Sequence, residues 1–418
     1  MTARLLVRLL PLLGLLLLAT YFGPPRPDDE AGYLELASRL ANGWYVTGND
    51  AALLDADPSY PDLWFGPGLP TILSPLVAAD LPLWLTRAVG PLSLFGAVVA
   101  LCALLRLRFS ERAALGGAYA FGLYVPSYTL LPNLHSEPPA ILFLVLGMLA
   151  TARHLESGST VTLVGAGASF AALALTRVAF GWVLTAVLVA SAFWWILRRA
   201  PSAAGTVRIA AVALALCVPW LAYTLHVTGR PLVWGNSGSL SLYWMSSPHP
   251  NDYGDWHRAD RVFSEDRLAP HRPFFATLEH VPLAEQNERL ERRALENIQA
   301  HPLKYASNVA ANISRMFFNA PYSAEPQTPK AAVYAFPNAL VLGAIVLSVA
   351  LLARRRHDLP PETLPFALLA GSTLGLHAFV ASYPRMLIPV VPIVIWLCLL
   401  ALSRNLSGGG QPVVGEAT

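Results

Sequence analysis

Long apolar runs alternate with short charged clusters along this chain, and two long polar segments interrupt the alternation. Walking from charge to charge places apolar runs near 4–22, 84–105, 113–131, 138–152, 160–176, 178–197, 208–226, 331–353, 364–382 and 386–403. Most approach the length of about 20 residues that a helix needs to cross a bilayer. The pattern predicts an all-α polytopic membrane protein with ten transmembrane helices. Composition agrees, since 55% hydrophobic and 13% charged residues exclude a single soluble domain. The first run has the hydropathy of a signal peptide, but no small-x-small cleavage site precedes the polar segment, so a retained first helix is expected. Cys102, Cys217 and Cys398 all fall inside apolar runs and predict no disulfide framework.

Charge fixes the expected orientation. Thirteen arginines (Arg4, Arg8, Arg106, Arg108, Arg112, Arg153, Arg198, Arg199, Arg208, Arg354, Arg355, Arg356 and Arg404) fall on one side of the ten-span arrangement. Only five acids share it: Glu111, Glu156, Asp358, Glu362 and Glu416. The excess of arginine predicts that both termini are cytoplasmic in a multi-pass cytoplasmic-membrane protein whose polar segments face the periplasm or cell exterior. The modest net charge of +3 comes from these arginines and gives no reason to expect a nucleic-acid partner.

Three units follow: a membrane module over 1–226 that includes the first external segment (23–83), an external region over 227–330, and C-terminal helices with a short tail over 331–418. Segment 23–83 carries nine acids against Arg26 and Arg39. It opens with an amphipathic helix that places Leu34, Ala37, Leu40 and Trp44 on one face, and passes through Trp64-Phe65-Gly66-Pro67-Gly68-Leu69-Pro70. The apolar stretch Thr71 to Ala79 is too short to span and predicts a helix in or dipping into the interface. Region 227–330 balances eleven acids with eleven bases and includes a charged helix over 284–300, a break at Pro302 and a more apolar helix around 305–318. It is large enough for a small lid.

The candidate chemistry gathers on the external face. Asp28, Asp29 and Glu30 follow the first apolar run, where carboxylates gain nothing from lipid headgroups. Helix capping alone could explain them, at about 0.3–1 kcal/mol. Glu137 begins an apolar helix beside His135 and Ser136, where an acid also complements the helix dipole. Arg177 sits between two apolar runs, a costly position unless it snorkels or meets an anion. Arg385, between the last two runs, and Lys304 are further anion candidates. His249, His257, His271, His280 and His301 fit no zinc spacing and are expected to be solvated loop residues, so no metal ligands are assigned. For Trp234, Tyr243, Trp244 and Trp256, both an interfacial aromatic belt and sugar stacking remain open.

Several of these motifs, in this order, resemble GT-C glycosyltransferases, and especially the branch containing protein O-mannosyltransferases and lipid A aminoarabinose transferases. Asp29-Glu30-x-x-Tyr33, with its Ala-rich helix, resembles that branch's first external loop. Pro67-Gly68-Leu69-Pro70 resembles its Pro-Gly-x-Pro, His135-Ser136-Glu137-Pro138 its Ser/Thr-Glu-Pro, and Leu175-Thr176-Arg177 its Leu-Thr-Arg. His301-Pro302-Leu303-Lys304-Tyr305 and Tyr383-Pro384-Arg385-Met386-Leu387-Ile388-Pro389 also have counterparts. Phe65 and Gly66 depart from it, standing where many members have an Arg before Pro-Gly.

The resemblance implies a membrane glycosyltransferase that moves a sugar from a polyprenyl-phosphate donor to an acceptor hydroxyl with inversion. Such a transfer needs a base and a cation for the departing phosphate. Asp29 matches the base, and Glu137 is a second catalytic candidate. Asp28, Glu30, Tyr33, His135, Arg177, Lys304 and Arg385 are expected to contact substrate. No cofactor is required, and no spacing indicates a divalent metal. The expected partners are the lipid-linked donor, the bilayer, and an acceptor that is a protein, lipid or glycan. The competing class is a transporter or flippase of lipid-linked sugars, which should carry broken, polar segments at the bilayer midplane in corresponding halves.

The orientation is testable in a cysteine-free background. A cysteine at Ser264 should react with a membrane-impermeant thiol reagent added outside intact cells, and one at Ser157 should not; the opposite labelling would invert the topology.

Overall fold

A computed structural model describes residues 3–24, 29–43, 45, 63–281, 283–323, 330–354 and 359–406. Among these residues the chain is all α, with no strand. Six helical stretches are long and apolar enough to cross a membrane: Ala3–Phe22, Leu83–Leu105, Glu137–Ser157, Ala179–Arg198, Val333–Ala353 and Pro384–Ser403. The chain is therefore a multi-pass membrane protein. We name α1 (Ala3–Phe22), α2 (Glu30–Ala41), α3 (Gly68–Ala78), α4 (Leu83–Thr86), α5 (Val89–Leu105), α6 (Glu111–Gly122), α7 (Val125–Tyr128), α8 (Glu137–Ser157), α9 (Thr160–Thr176) and α10 (Ala179–Arg198). There follow α11 (Pro201–Leu216), α12 (Val218–Thr228), α13 (Ser237–Met245), α14 (Arg261–Ser264), α15 (Arg272–Phe275), α16 (Leu283–Ala300), α17 (Pro302–Phe318), α18 (Lys330–Ala353), α19 (Thr363–Phe379) and α20 (Val391–Leu406).

The expected spans map onto these helices with three differences. The run at 208–226 is part of a longer pair, α11 and α12, bent by 50° where Cys217 and Pro219 interrupt it. Two other runs, α9 and α19, are helices of 17 residues, the lower limit for crossing. The run at 113–131 is not one helix. Helix α6 stops at Gly122, Pro126 sits in the first turn of α7, and the Tyr128 hydroxyl donates to the Gly122 carbonyl at 2.6 Å, satisfying the broken end. Residues 129–136 then turn back toward α8.

Amphipathic stripes direct the packing. On α1, Leu5, Leu9, Leu12 and Leu16 are buried at helical spacing, and α1 packs against α5. Helix α8 lies between α5 and α9, and α10 packs on α11 and α19. On α2 the buried stripe is Tyr33, Leu36 and Ala37, so the expected face of Leu34, Ala37 and Leu40 is rotated toward the tyrosine; Trp44 lies outside the described residues. Arginines and acids assigned to one side meet there: Arg8 with Glu111 at 2.8 Å, and Arg108 with both Glu156 at 2.6 Å and buried Glu362 at 2.7 Å.

The segment between α12 and α17 builds a small core of its own. Leu240, Tyr243, Trp244, Val262, Leu268, Phe275 and Leu290 are buried together from α13, the 259–278 segment and α16. His271 and His257 are buried at its edge and so correct the expectation of solvated loop histidines. Tyr243 and Asp252 bracket His271, at 2.8 Å from Nδ1 and 2.9 Å from Nε2. Burial pushes the Asp252 carboxyl up, but the hydrogen bonds from His271 and Ser247 outweigh it and hold the group below its ordinary value.

Two sequence motifs dock directly on each other. A Cβ on Gly66 would stand 2.2 Å from the Leu175 carbonyl oxygen, and one on Gly68 would stand 2.6 Å from the Thr176 backbone. Only glycine lets Gly66-Pro67-Gly68 lie against the end of α9, just before Arg177. This contact supplies a physical reason for Gly66 where an arginine was the family expectation. Gly66→Ala should destabilise the protein by about 1–3 kcal/mol through overpacking. Gly343→Ala, with open space around its Cβ in α18, should not. Thermal unfolding in detergent should lower Tm for the first variant alone, and equal Tm values would contradict the docking.

Candidate active site

Four charged groups from four separate parts of the chain meet at the ends of the helices. Glu137 starts α8 and its side chain is 2% exposed. Arg177 lies in extended backbone between α9 and α10, and its Nη1 is 2.5 Å from Glu137 Oε1. Arg385 lies in the turn before α20, with Nε 3.7 Å from Glu137 Oε1 and Nη1 3.6 Å from Asp29 Oδ2. Two carboxylates and two guanidiniums therefore share one site, with Arg385 between the acids. A carboxylate as buried as Glu137 persists only with such compensation. Arg385 is the more open cation, 36% exposed against 13% for Arg177.

Asp29 occupies the N-cap position of α2, yet its side chain makes no capping hydrogen bond. It faces Arg385 instead and is 32% exposed, which removes capping as its explanation. Tyr33, one turn on, is buried with its ring 4.3 Å from that of Phe65 and its hydroxyl bonded to Ser136. Burial first, then the charges of Asp29 and Glu137, push its phenol well above the ordinary value, so it stays protonated. His135 Nδ1 lies 4.0 Å from Glu137 Oε2, within the same enclosure.

Glu30 has its oxygens occupied. Arg87 donates to both of them, at 2.9 and 2.6 Å, and the Leu134 backbone N–H donates to Oε2 at 2.9 Å. Burial pulls the Glu30 carboxyl upward, but these bonds and the Arg87 charge prevail and hold it below its ordinary value. Its contribution to stability is therefore present above the unfolded carboxylate pKa of about 4.3 and is lost as pH falls through the lower folded value. The clamp ties the start of α2 to α4 and to the turn before Glu137.

Lys304 stands apart. Its amine donates to the Asp252 carbonyl at 2.5 Å and to Asn308 Oδ1 at 2.8 Å, and no described contact joins it to Asp29, Glu137 or Arg385. Asp28 lies outside the described residues. Among the described residues, no three His, Cys, Asp or Glu side chains are grouped so as to hold a metal ion.

Sequence reasoning missed three contributors. Arg87 was absorbed into an apolar run, although it is the one charged residue in 84–105. His377, on α19, lies within electrostatic reach of Arg177 and Glu137. Arg315, fully buried on α17, donates to the carbonyls of Ser382, Pro321 and Tyr253 and so holds the turn that carries Arg385. Asn312 adds bonds to the His377 and Ala378 carbonyls at 2.8 and 2.9 Å.

Known proteins are similar to this chain in fold. No protein-family model and no curated protein sequence matches it. Among solved structures, it is similar to the archaeal oligosaccharyltransferase AglB from Archaeoglobus fulgidus in complex with an inhibitory peptide and a dolichol-phosphate. That match has a TM-score of 0.53 and 14% identity, over 98% of this chain and 52% of that one. An Archaeoglobus fulgidus oligosaccharyltransferase tethered to an acceptor peptide containing the NVT sequon matches with a TM-score of 0.54 and 13% identity, over 97% and 50%. ArnT from Cupriavidus metallidurans bound to undecaprenyl phosphate gives 0.41 and 14%, over 96% and 78%. This chain thus spans about half the length of the oligosaccharyltransferases it matches.

The charge pairing has a measurable consequence. Arg177→Ala should cost about 3–5 kcal/mol of stability because it strips compensation from buried Glu137. Adding Glu137→Gln should recover at least half of the resulting drop in Tm, and a double variant no more stable than the single one would refute the pairing. At the level of fold, the resemblance read from the motifs is borne out: this is a multi-pass helical membrane protein whose fold is similar to that of these oligosaccharyltransferases.

Proposed function

We propose that the chain is a glycosyltransferase that moves a sugar from a polyprenyl-phosphate donor to an acceptor hydroxyl at the external face of a cytoplasmic membrane. The observation that carries this reading is Arg385 standing between Asp29 and Glu137 at the mouth of the helix bundle. Group transfer from a lipid phosphate needs a carboxylate and a cation side by side, one for each end of the displacement. The GT-C-like fold, and the dolichol-phosphate bound by the oligosaccharyltransferase of similar fold, support the donor class.

In this mechanism Asp29 takes the proton of the acceptor hydroxyl as the oxygen attacks the anomeric carbon. The bond from that carbon to the phosphate oxygen breaks on the opposite face, giving inversion, and polyprenyl phosphate departs with the electron pair. Arg385 neutralises the leaving phosphate. Glu137, itself paired with Arg177, holds Arg385 in place and keeps the site's charge balanced, while Tyr33 and Ser136 fix the spacing between α2 and α8. Glu30, clamped by Arg87, serves to position Asp29.

A transporter would be built from paired discontinuous helices with binding groups at mid-membrane. The ionic cluster here lies at helix ends instead: Glu137 starts α8, Arg177 follows α9 and Arg385 precedes α20. These features favour the enzyme.

Asp29→Asn should lower release of polyprenyl phosphate from a lipid-phosphate-linked sugar in native membranes by at least about a hundredfold, while binding undecaprenyl phosphate at least as tightly as wild type does. Arg385→Ala should raise the Kd for undecaprenyl phosphate about ten- to hundredfold, with Arg385→Lys in between. Near wild-type turnover of the Asp29 variant would sink the base assignment.

A further inference from the structure

Beside the charged cluster stands an aromatic pair made by the two external segments. Trp64, from the first segment, and Trp256, from the second, lie with ring centroids 5.7 Å apart and planes tilted by 54°. Both are partly buried rather than sealed in a core. The other aromatic candidates are not available to a ligand in this way: Trp234, Tyr243 and Trp244 are all buried.

Trp256 is tied to the site through the backbone. The Tyr383 hydroxyl accepts from the Trp256 N–H at 3.0 Å and lies 3.3 Å from its carbonyl oxygen. Burial pushes the Tyr383 phenol up to about 12, which keeps that hydroxyl protonated as a donor. Two residues on from Tyr383 comes Arg385. Trp64 is anchored from the other direction, because its neighbour Phe65 packs on Tyr33 and accepts from the Tyr45 hydroxyl at 2.8 Å. The pair is thus fixed to both halves of the Asp29–Arg385 site.

Trp256 also has a polar group without a protein partner. Its Nε1–H is buried and makes no hydrogen bond among the described residues. Two other indoles share that condition, Trp244 and Trp396, but at 2% and 0% exposure they are enclosed in cores. Buried polar groups are rarely left unmatched, and an indole combines an apolar face with one donor at its edge. A pyranose has the complementary form, with a face of C–H groups and hydroxyls around its rim.

We propose that Trp256, with Trp64 beside it, forms the platform for the donor's pyranose ring. The ring's C–H face lies on the indole and a hydroxyl accepts from Nε1. The proposal rests on the assignment of the donor phosphate to Arg385, since the donor sugar is bonded directly to that phosphate.

Titration of the detergent-solubilised full chain with two probes separates the two ideas: bare undecaprenyl phosphate, and undecaprenyl phosphate carrying mannose or glucose. Wild type should bind the sugar-bearing lipids tighter than the bare one. Trp256→Ala should lose that preference by roughly five- to twentyfold while binding the bare lipid as wild type does. Trp256→Phe, which keeps a ring but no N–H, should lose about two- to fivefold and decides the matter if the alanine variant does not fold. Equal preference in wild type and variants, or no preference in wild type, overturns the platform alone. Failure of wild type to bind even bare undecaprenyl phosphate overturns the Arg385 assignment and the platform with it.

Discussion

The arrangement depends on the burial of one carboxylate. Glu137, at the first turn of α8 and almost fully enclosed, is stable as a charge only because Arg177 and Arg385 reach it from different parts of the chain. That requirement sets the positions of the α9–α10 junction and of the turn before α20. Arg385, held this way, then comes within 3.6 Å of Asp29. The bundle is a scaffold that brings these four groups together at the ends of its helices.

The two polar segments serve the same end. Helix α17 sends Arg315 and Asn312 into the backbone of residues 377–382, and so fixes the turn bearing Arg385. The Glu30–Arg87 clamp does the corresponding work for Asp29, and the glycines of Gly66-Pro67-Gly68 let the first segment lie against Thr176 beside Arg177. Lys304 belongs to this support, holding the 252 loop, and not to the charged centre.

Much of this was legible in the sequence because hydropathy and charge are local signals. The apolar runs, the arginine-rich side and the motifs holding Asp29, Tyr33, Glu137, Arg177 and Arg385 could be read directly, and the structure brings those five residues together. What could not be read depends on contacts far apart in the chain. Glu30 seemed open to substrate until Arg87, 57 residues on, was seen to occupy it. The break in the 113–131 run follows from Gly122, Pro126 and the Tyr128 hydroxyl, none of which lowers hydropathy enough to mark it. The burial of His271 is not legible in the sequence because its partners, Tyr243 and Asp252, come from other elements.

The central claim is that this cluster is a lipid-phosphate site, and the most direct measurement is an electron cryomicroscopy structure of the protein in lipid nanodiscs with undecaprenyl phosphate. The account predicts phosphate density within about 3 Å of the Arg385 guanidinium and on the Asp29 side of it, with the lipid tail leaving between helices toward the bilayer. Phosphate density at another cation, with Arg385 still turned to Asp29 and Glu137, would contradict it.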